Sequence, residues 1–321
     1  MKHTLIGMAT LATMATALPC IAQSYPVKPV RFIVPFPPGG PTDILGRLIS
    51  ERLTRTWNVQ VVADNRAGAG GNIGTELCTR SPPDGYTMCM FTVAQSISPS
   101  VYSKLAFDPV KDLAPVTLVA ILPSLLMVHP SVPARNVQQL VALAKARPGQ
   151  LTYASTGNGT SPHMLMEMLK SMTGTQLVHV PYKGAAPAMI DQMSGQIEVA
   201  FSTAIAALPF VQQGKVRALA VSTIERFPPT PDLPTVSESG VKGFDGSSWQ
   251  GIAMPAGTPK DIVAKMHQEL ATYLKMPETK QRLLEMGGLA SGITPEEFTT
   301  FIRTETEKWA KVARYARVRL D

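Results

Sequence analysis

Short apolar runs alternate with amphipathic stretches along most of the chain, and loops rich in Gly and Pro separate them. Residues 30–34 read as a buried strand and 35–41 (Pro-Phe-Pro-Pro-Gly-Gly-Pro) as a stiff loop. Ile44, Leu45, Leu48, Ile49 and Leu53 then recur at helical spacing. A second strand follows at 59–62. The loop at 65–74 leads into a short helix, and the turn Pro82-Pro-Asp-Gly85 precedes a strand at 86–93. Strands and helices alternating at this pitch imply an α/β architecture, with a mostly parallel sheet flanked by helices.

The pattern then restarts. Residues 116–128 are apolar and extended, and Pro123 interrupts them, which suits a strand crossing from one lobe to another. Strand 151–155, loop 156–160 and a helix opening on Ser161-Pro162 follow, with Pro at the first helical position. Further strands are expected at 177–180, 197–201 and 216–221, before a Pro-rich stretch at 227–234. A last extended segment occupies 249–254. Thr258-Pro-Lys-Asp261 and Thr294-Pro-Glu-Glu297 each read as a capping box opening a helix. The 321 residues suffice for two cores. The expected division is a leader at 1–24, one lobe from 25–124 and 249–321, and a second from 125–248.

The leader has its own signature. Lys2 and His3 precede an uncharged apolar run at 5–18, Pro19 breaks it, and small residues follow at Ala22 and Ser24. This describes a secretory signal peptide cleaved near Ala22–Ser24, and therefore a periplasmic protein. The run is shorter than the ~20 residues of a membrane-spanning helix. Cys20 raises a lipid-attachment alternative, which Pro19 directly before it fits poorly. Cys78 and Cys89 remain, and export permits a disulfide between them, although apolar neighbours suit two buried thiols equally. The formal charge is +7, and its densest basic group, Lys311, Arg314, Arg317 and Arg319, reads as a solvated helix face. Without clustering, the charge does not indicate nucleic acid; a positive field that attracts anions is the simpler reading.

Enzymatic patterns are missing from the sequence. There is no P-loop and no Gly-x-Ser-x-Gly elbow, and Gly68, Gly70 and Gly74 are spaced one residue too long for a dinucleotide fingerprint. His129, His163, His179 and His267 form no pair at metal spacing, so neither a metal nor a cofactor is expected. What remains is a set of strand-to-helix loops rich in Gly, Ser, Thr and Asn, which present backbone N–H groups at positive helix ends. Gly39, Gly40, Gly71 and Asn72 are the expected donors of the first lobe. Ser155, Thr156, Gly159 and Thr160 are those of the second. Asp43 either orients its loop or meets a polar ligand group. His163 lies in the first turn of its helix, where it is placed to face the cleft. Phe36 and Tyr182 are walls or core residues, and Lys183 supplies charge or caps a surface.

The same loops carry a family resemblance. Tyr25-Pro-x-Lys-Pro29, Val34-Pro-Phe-Pro-Pro-Gly-Gly40 with Asp43 and Arg47, and Asn65-Arg-x-Gly-Ala-Gly-Gly71 resemble the solute receptors of tripartite tricarboxylate transporters, also called Bug receptors. Pro83-Asp-Gly-Tyr-Thr87, Tyr153-Ala-Ser155, His179-Val-Pro-Tyr-Lys-Gly184, Arg217-Ala-Leu-Ala220 and Met254-Pro-Ala-Gly-Thr-Pro259 continue it in order. The resemblance implies a two-lobed type II periplasmic binding fold joined by crossing strands. It also implies capture of a dicarboxylate, tricarboxylate, aromatic carboxylate or acidic amino acid, and delivery to a membrane permease. A monomer that catalyses nothing is expected. Two positions depart from the family pattern: Glu198 and Ser202 stand where Asp is frequent, and Ser202 removes an acceptor for a ligand amino group. A sensor for a membrane kinase and an α/β enzyme acting on a carboxylic acid are the rival readings.

Overall fold

The computed structural model describes residues 25–320, so the expected leader lies outside the described residues. In chain order the elements are β1 (Val30–Val34), α1 (Pro41–Trp57), β2 (Val61–Asn65), α2 (Asn72–Thr79), β3 (Thr87–Thr92), α3 (Val93–Val101), β4 (Leu113–Leu122) and β5 (Ser124–Val128). Next come α4 (Val137–Ala146), β6 (Thr152–Ser155), α5 (Ser161–Thr173), β7 (Val178–Pro181), α6 (Ala185–Met193), β8 (Val199–Thr203), α7 (Ala204–Gln212) and β9 (Arg217–Val221). The chain closes with β10 (Ser248–Pro255), α8 (Lys260–Lys275), α9 (Pro277–Glu285), β11 (Leu289–Ala290) and α10 (Pro295–Tyr315).

Two sheets result, one in each lobe, ordered β11-β4-β10-β3-β1-β2 and β7-β6-β8-β5-β9. The expected parallel pairing holds where a helix joins consecutive strands: β1 pairs parallel with β2 and β3, and β6 with β7 and β8. The crossing strands correct the rest. β10 enters between β3 and β4 antiparallel to both, and β5 lies antiparallel to β8 and β9, so both sheets are mixed. A chain that leaves a sheet, builds a second one and returns does not re-enter by a right-handed βαβ unit, so its direction is not bound to the parallel rule.

Pro123 turns β4 into β5, and its carbonyl accepts from Ala204 N at 2.7 Å. The return passes through Gly246, whose N–H donates to Ser222 O at 3.0 Å. At the return strand, Trp249 is fully buried against Phe91 and Phe298. Gly251 is required there, because a Cβ would stand 2.1 Å from Phe298 Cζ. Trp249 Nε1 and Trp309 Nε1 both donate to Glu305 Oε2, each at 2.9 Å, which fastens α10 to β10.

Several local expectations are corrected. β2 starts at Val61 rather than residue 59, after α1 ends on Asn58 in the left-handed region. Thr294 forms the expected capping box with Glu297, but Thr258 does not cap α8. Pro259 is that helix's extended N-cap residue, and the Thr258 hydroxyl donates to Pro255 O at 2.7 Å. The strand expected at 86–93 ends at Thr92, which caps α3 with Gln95. Cys78 and Cys89 form a disulfide between α2 and β3, with Cα atoms 6.2 Å apart.

Candidate functional site

Five helices begin at one cavity between the lobes. Its walls include Gly40–Pro41–Thr42 at the start of α1, Thr92 and Val93 at α3, Thr160 and Ser161 at α5, Gly184 and Ala185 at α6, and Thr203 at α7. The cavity they leave measures about 70 Å³, within a larger space that opens to solvent. Among the described residues no side chain caps the starts at Gly40, Thr160, Gly184 or Thr203. Each helix start carries roughly half a positive charge and unpaired N–H groups. Lys183 is the one charged side chain among the described lining residues. A region with several positive helix ends, one ammonium and no carboxylate favours an anion.

The first-lobe loop is shaped by three prolines and by Asp43. Its Oδ2 accepts from Gly39 N at 2.9 Å and from Arg47 Nε at 3.0 Å, and its Oδ1 accepts from Asn65 Nδ2 at 2.9 Å. Asn65 Nδ2 also reaches Phe36 O at 2.9 Å. Burial pushes the Asp43 carboxyl upward. The hydrogen bonds from Arg47, Gly39 and Asn65, with the Arg47 charge, outweigh it and hold the group below the usual carboxylate range. Asp43 therefore orients the loop and does not line the cavity. Gly39 is also corrected, because its N–H is taken by Asp43.

Gly71 and Asn72 stand behind the wall. The Gly71 N–H donates to Gly68 O at 2.9 Å, and a Cβ there would lie 2.7 Å from Gln95 Nε2 and 3.1 Å from the Phe36 ring, so glycine leaves room for both. Asn72 Oδ1 accepts from Ser98 Oγ at 2.8 Å and ties α2 to α3. Phe36 and Gly40 line the cavity.

The second-lobe loop is held from beneath by aromatic rings. His163 stacks on His179 at 4.2 Å, and His179 stacks on Tyr153 at 4.8 Å. His163 Nδ1 accepts from Gly159 N at 3.2 Å, so its proton sits on Nε2. Ser155 Oγ meets His179 Nε2 at 2.7 Å and accepts from Gly157 N at 3.2 Å. Burial pushes both imidazoles down to about 4; Lys170 adds to the shift of each, His163 adds to that of His179, and Glu167 opposes both. Ser155, Gly159 and His163 thus support the loop, while Thr156, Thr160, Lys183 and Ser202 line the cavity. Tyr182 packs against the second-lobe core, and its hydroxyl donates to Asp191 Oδ2 at 2.6 Å.

The lobes come close at two places. A Cβ on Gly184 would stand 3.3 Å from Pro37 Cγ, and one on Gly70 would stand 2.7 Å from Asn158 O.

A family model described as the tripartite tricarboxylate transporter family receptor matches residues 45–316. The chain belongs to this family. Its solved relatives share the fold over nearly their whole length. "R. palustris Rpa4515 with adipate" is 35% identical, with a TM-score of 0.90 over 92% of this chain and 99% of that one. The periplasmic binding protein BugD is 34% identical, with a TM-score of 0.87 over 92% and 99%. MatC from Rhodopseudomonas palustris, with bound malate, is 29% identical, with a TM-score of 0.85 over 90% and 99%. The chain is thus a solute-binding receptor with the two-lobed α/β fold of periplasmic binding proteins.

Reading the receptor's sequence missed part of its site. Thr92 and Val93 fall inside the strand expected at 86–93 and Ala94 follows it, although Thr92-x-x-Gln95 is a capping signature. Gly184, Ala185 and Ala186 open α6 directly after the expected Lys183. Ser248 and Gln250 carry no local signal; they reach the cavity only because β10 returns to the middle of the first sheet.

Proposed function

We propose that this receptor captures a small carboxylate in the cavity and hands its closed form to the membrane permease of a tripartite transporter. Phe36, Gly40, Thr156, Thr160, Lys183 and Ser202 form the contact set, with Asp43, Gly71, Ser155, Gly159 and His163 as supports. The observation that carries the reading is the convergence of five helix starts and one Lys on a cavity without a lining carboxylate. Adipate and malate in two relatives support the same ligand class. The proposed division is 25–124 with 249–321 and 125–248; the membership of the two sheets supports it to within one residue, with Ser124 already in β5 and Ser248 already in β10. Export by a cleaved leader, a monomeric state and the lack of catalysis belong to the same proposal.

A thermal-shift screen of the mature protein against mono-, di- and tricarboxylates tests it. A ligand at about 100 times its Kd adds about 2.7 kcal/mol and raises the melting temperature by several degrees. Lys183→Ala is expected to weaken the best acid several-fold. If the acids leave the melting temperature unchanged while neutral or cationic solutes raise it, the carboxylate reading fails.

A further inference from the structure

We propose that Gln250 and Ser161 form a subsite for an uncharged hydroxyl, so that the receptor prefers a hydroxy acid to the plain acid and to the amino acid of the same skeleton. The inference rests on the carboxylate reading above and narrows it. Several buried side-chain polar atoms have no hydrogen-bond partner, and among the described residues only Gln250 Oε1 and Ser161 Oγ belong to residues lining the cavity. Both residues are 3% exposed. They approach from opposite lobes, Gln250 on β10 and Ser161 at the start of α5.

Gln250 is held at both ends. Its backbone lies in the middle of the first sheet, opposite Thr92 on one side and Ala120 on the other. Its Nε2 donates to Thr42 Oγ1 at 3.1 Å, which leaves the carbonyl oxygen as the unsatisfied group. A carbonyl only accepts, whereas a hydroxyl donates or accepts. A ligand hydroxyl, which both donates and accepts, is the group that suits Gln250 Oε1 as well as Ser161 Oγ.

The other ligand groups fit poorly. A carboxylate at Gln250 sets acceptor against acceptor. An ammonium meets no counter-charge, because the only charged side chain among the described lining residues is Lys183. A site built to pair a buried hydroxyl discriminates strongly against the analogue that lacks it, since its polar groups are then left unpaired.

Isothermal titration calorimetry on the mature protein with matched triads tests the inference. Suitable sets are succinate, malate and aspartate; glutarate, 2-hydroxyglutarate and glutamate; and phenylacetate, mandelate and phenylglycine. In the best-binding set the hydroxy acid is expected to bind about tenfold or more tighter than its two partners. Gln250→Met should bring the hydroxy acid's affinity down to the level of the plain acid's. Ser161→Ala should reduce the preference in part. Equal or tighter binding of the plain acid by the wild type, or a preference that survives Gln250→Met, overturns the inference and leaves the carboxylate reading standing. If no acid of any skeleton binds, the carboxylate reading falls and takes the inference with it. Should Gln250→Met fail to fold, the wild-type ranking still decides.

Discussion

Acidification should loosen the second-lobe loop through His163, by an amount that follows from its burial. The imidazole is 5% exposed and its Nδ1 accepts the Gly159 N–H, so protonation would set two donors against each other. Burial lowers its pKa from 6.5 to about 4, with Glu167 opposing the shift and Lys170 adding to it, while His179 stacks on the ring. A base whose folded-state pKa is depressed stabilises the fold fully above the unfolded value of 6.5. That contribution is lost as pH falls from there toward 4, because only the unfolded chain takes up the proton. By linkage, the loss between roughly pH 7.5 and pH 5 is about 2 kcal/mol for His163 alone. His179, stacked on it, adds less than a second equal share, since protonating one ring opposes protonating the other. The assay is urea unfolding of the wild type and His163→Leu at the two pH values. The variant has a constant penalty from the unpaired Gly159 N–H, but its loss on acidification should be smaller than that of the wild type by about 2 kcal/mol. Equal losses for the two proteins would refute the assignment of the neutral, buried imidazole.

Three further outcomes follow from particular contacts. Replacing Cys78 and Cys89 with Ala opens a link of sequence separation 11, and denaturant unfolding should show about 2–3 kcal/mol less stability. Glu305→Leu strands the indole N–H groups of Trp249 and Trp309, which should cost roughly 2–4 kcal/mol in the same experiment; an unchanged midpoint would mean that the shared carboxylate is not structural. Gly70→Ala places a Cβ 2.7 Å from Asn158 O across the seam between the lobes. Solution scattering with saturating ligand should then show incomplete compaction and calorimetry about a tenfold weaker ligand, or 1.4 kcal/mol; normal compaction would remove Gly70 from the closure contact.

Much of the candidate site was legible because its loops follow local rules. The prolines and glycines at 35–41 fix a stiff turn into α1, and Thr156 and Thr160 sit in a Gly-rich loop before a Pro-opened helix. Those rules assign a residue to a loop but not to one side of it. Gly39 and Gly40 are adjacent and chemically identical, yet the N–H of the first is taken by Asp43 while the second faces the cavity. The failed cap at Thr258 has a similar cause: a nearby carbonyl, Pro255 O, takes its hydroxyl.

The alternation of strands and helices, the crossing at Pro123, the Gly-rich loops and the family motifs are legible in the residues alone, because periodicity, turn chemistry and motif order are properties of neighbours along the chain. That both sheets are mixed, that Cys78 meets Cys89, and that the histidines brace the loop from behind emerge only from the folded chain. Gln250 shows why. Its partner Thr42 lies 208 residues away, and no local pattern records that β10 will return beside it. Hydrogen-bond saturation and packing are settled between distant segments, and they decide which polar groups in this receptor are left for a ligand.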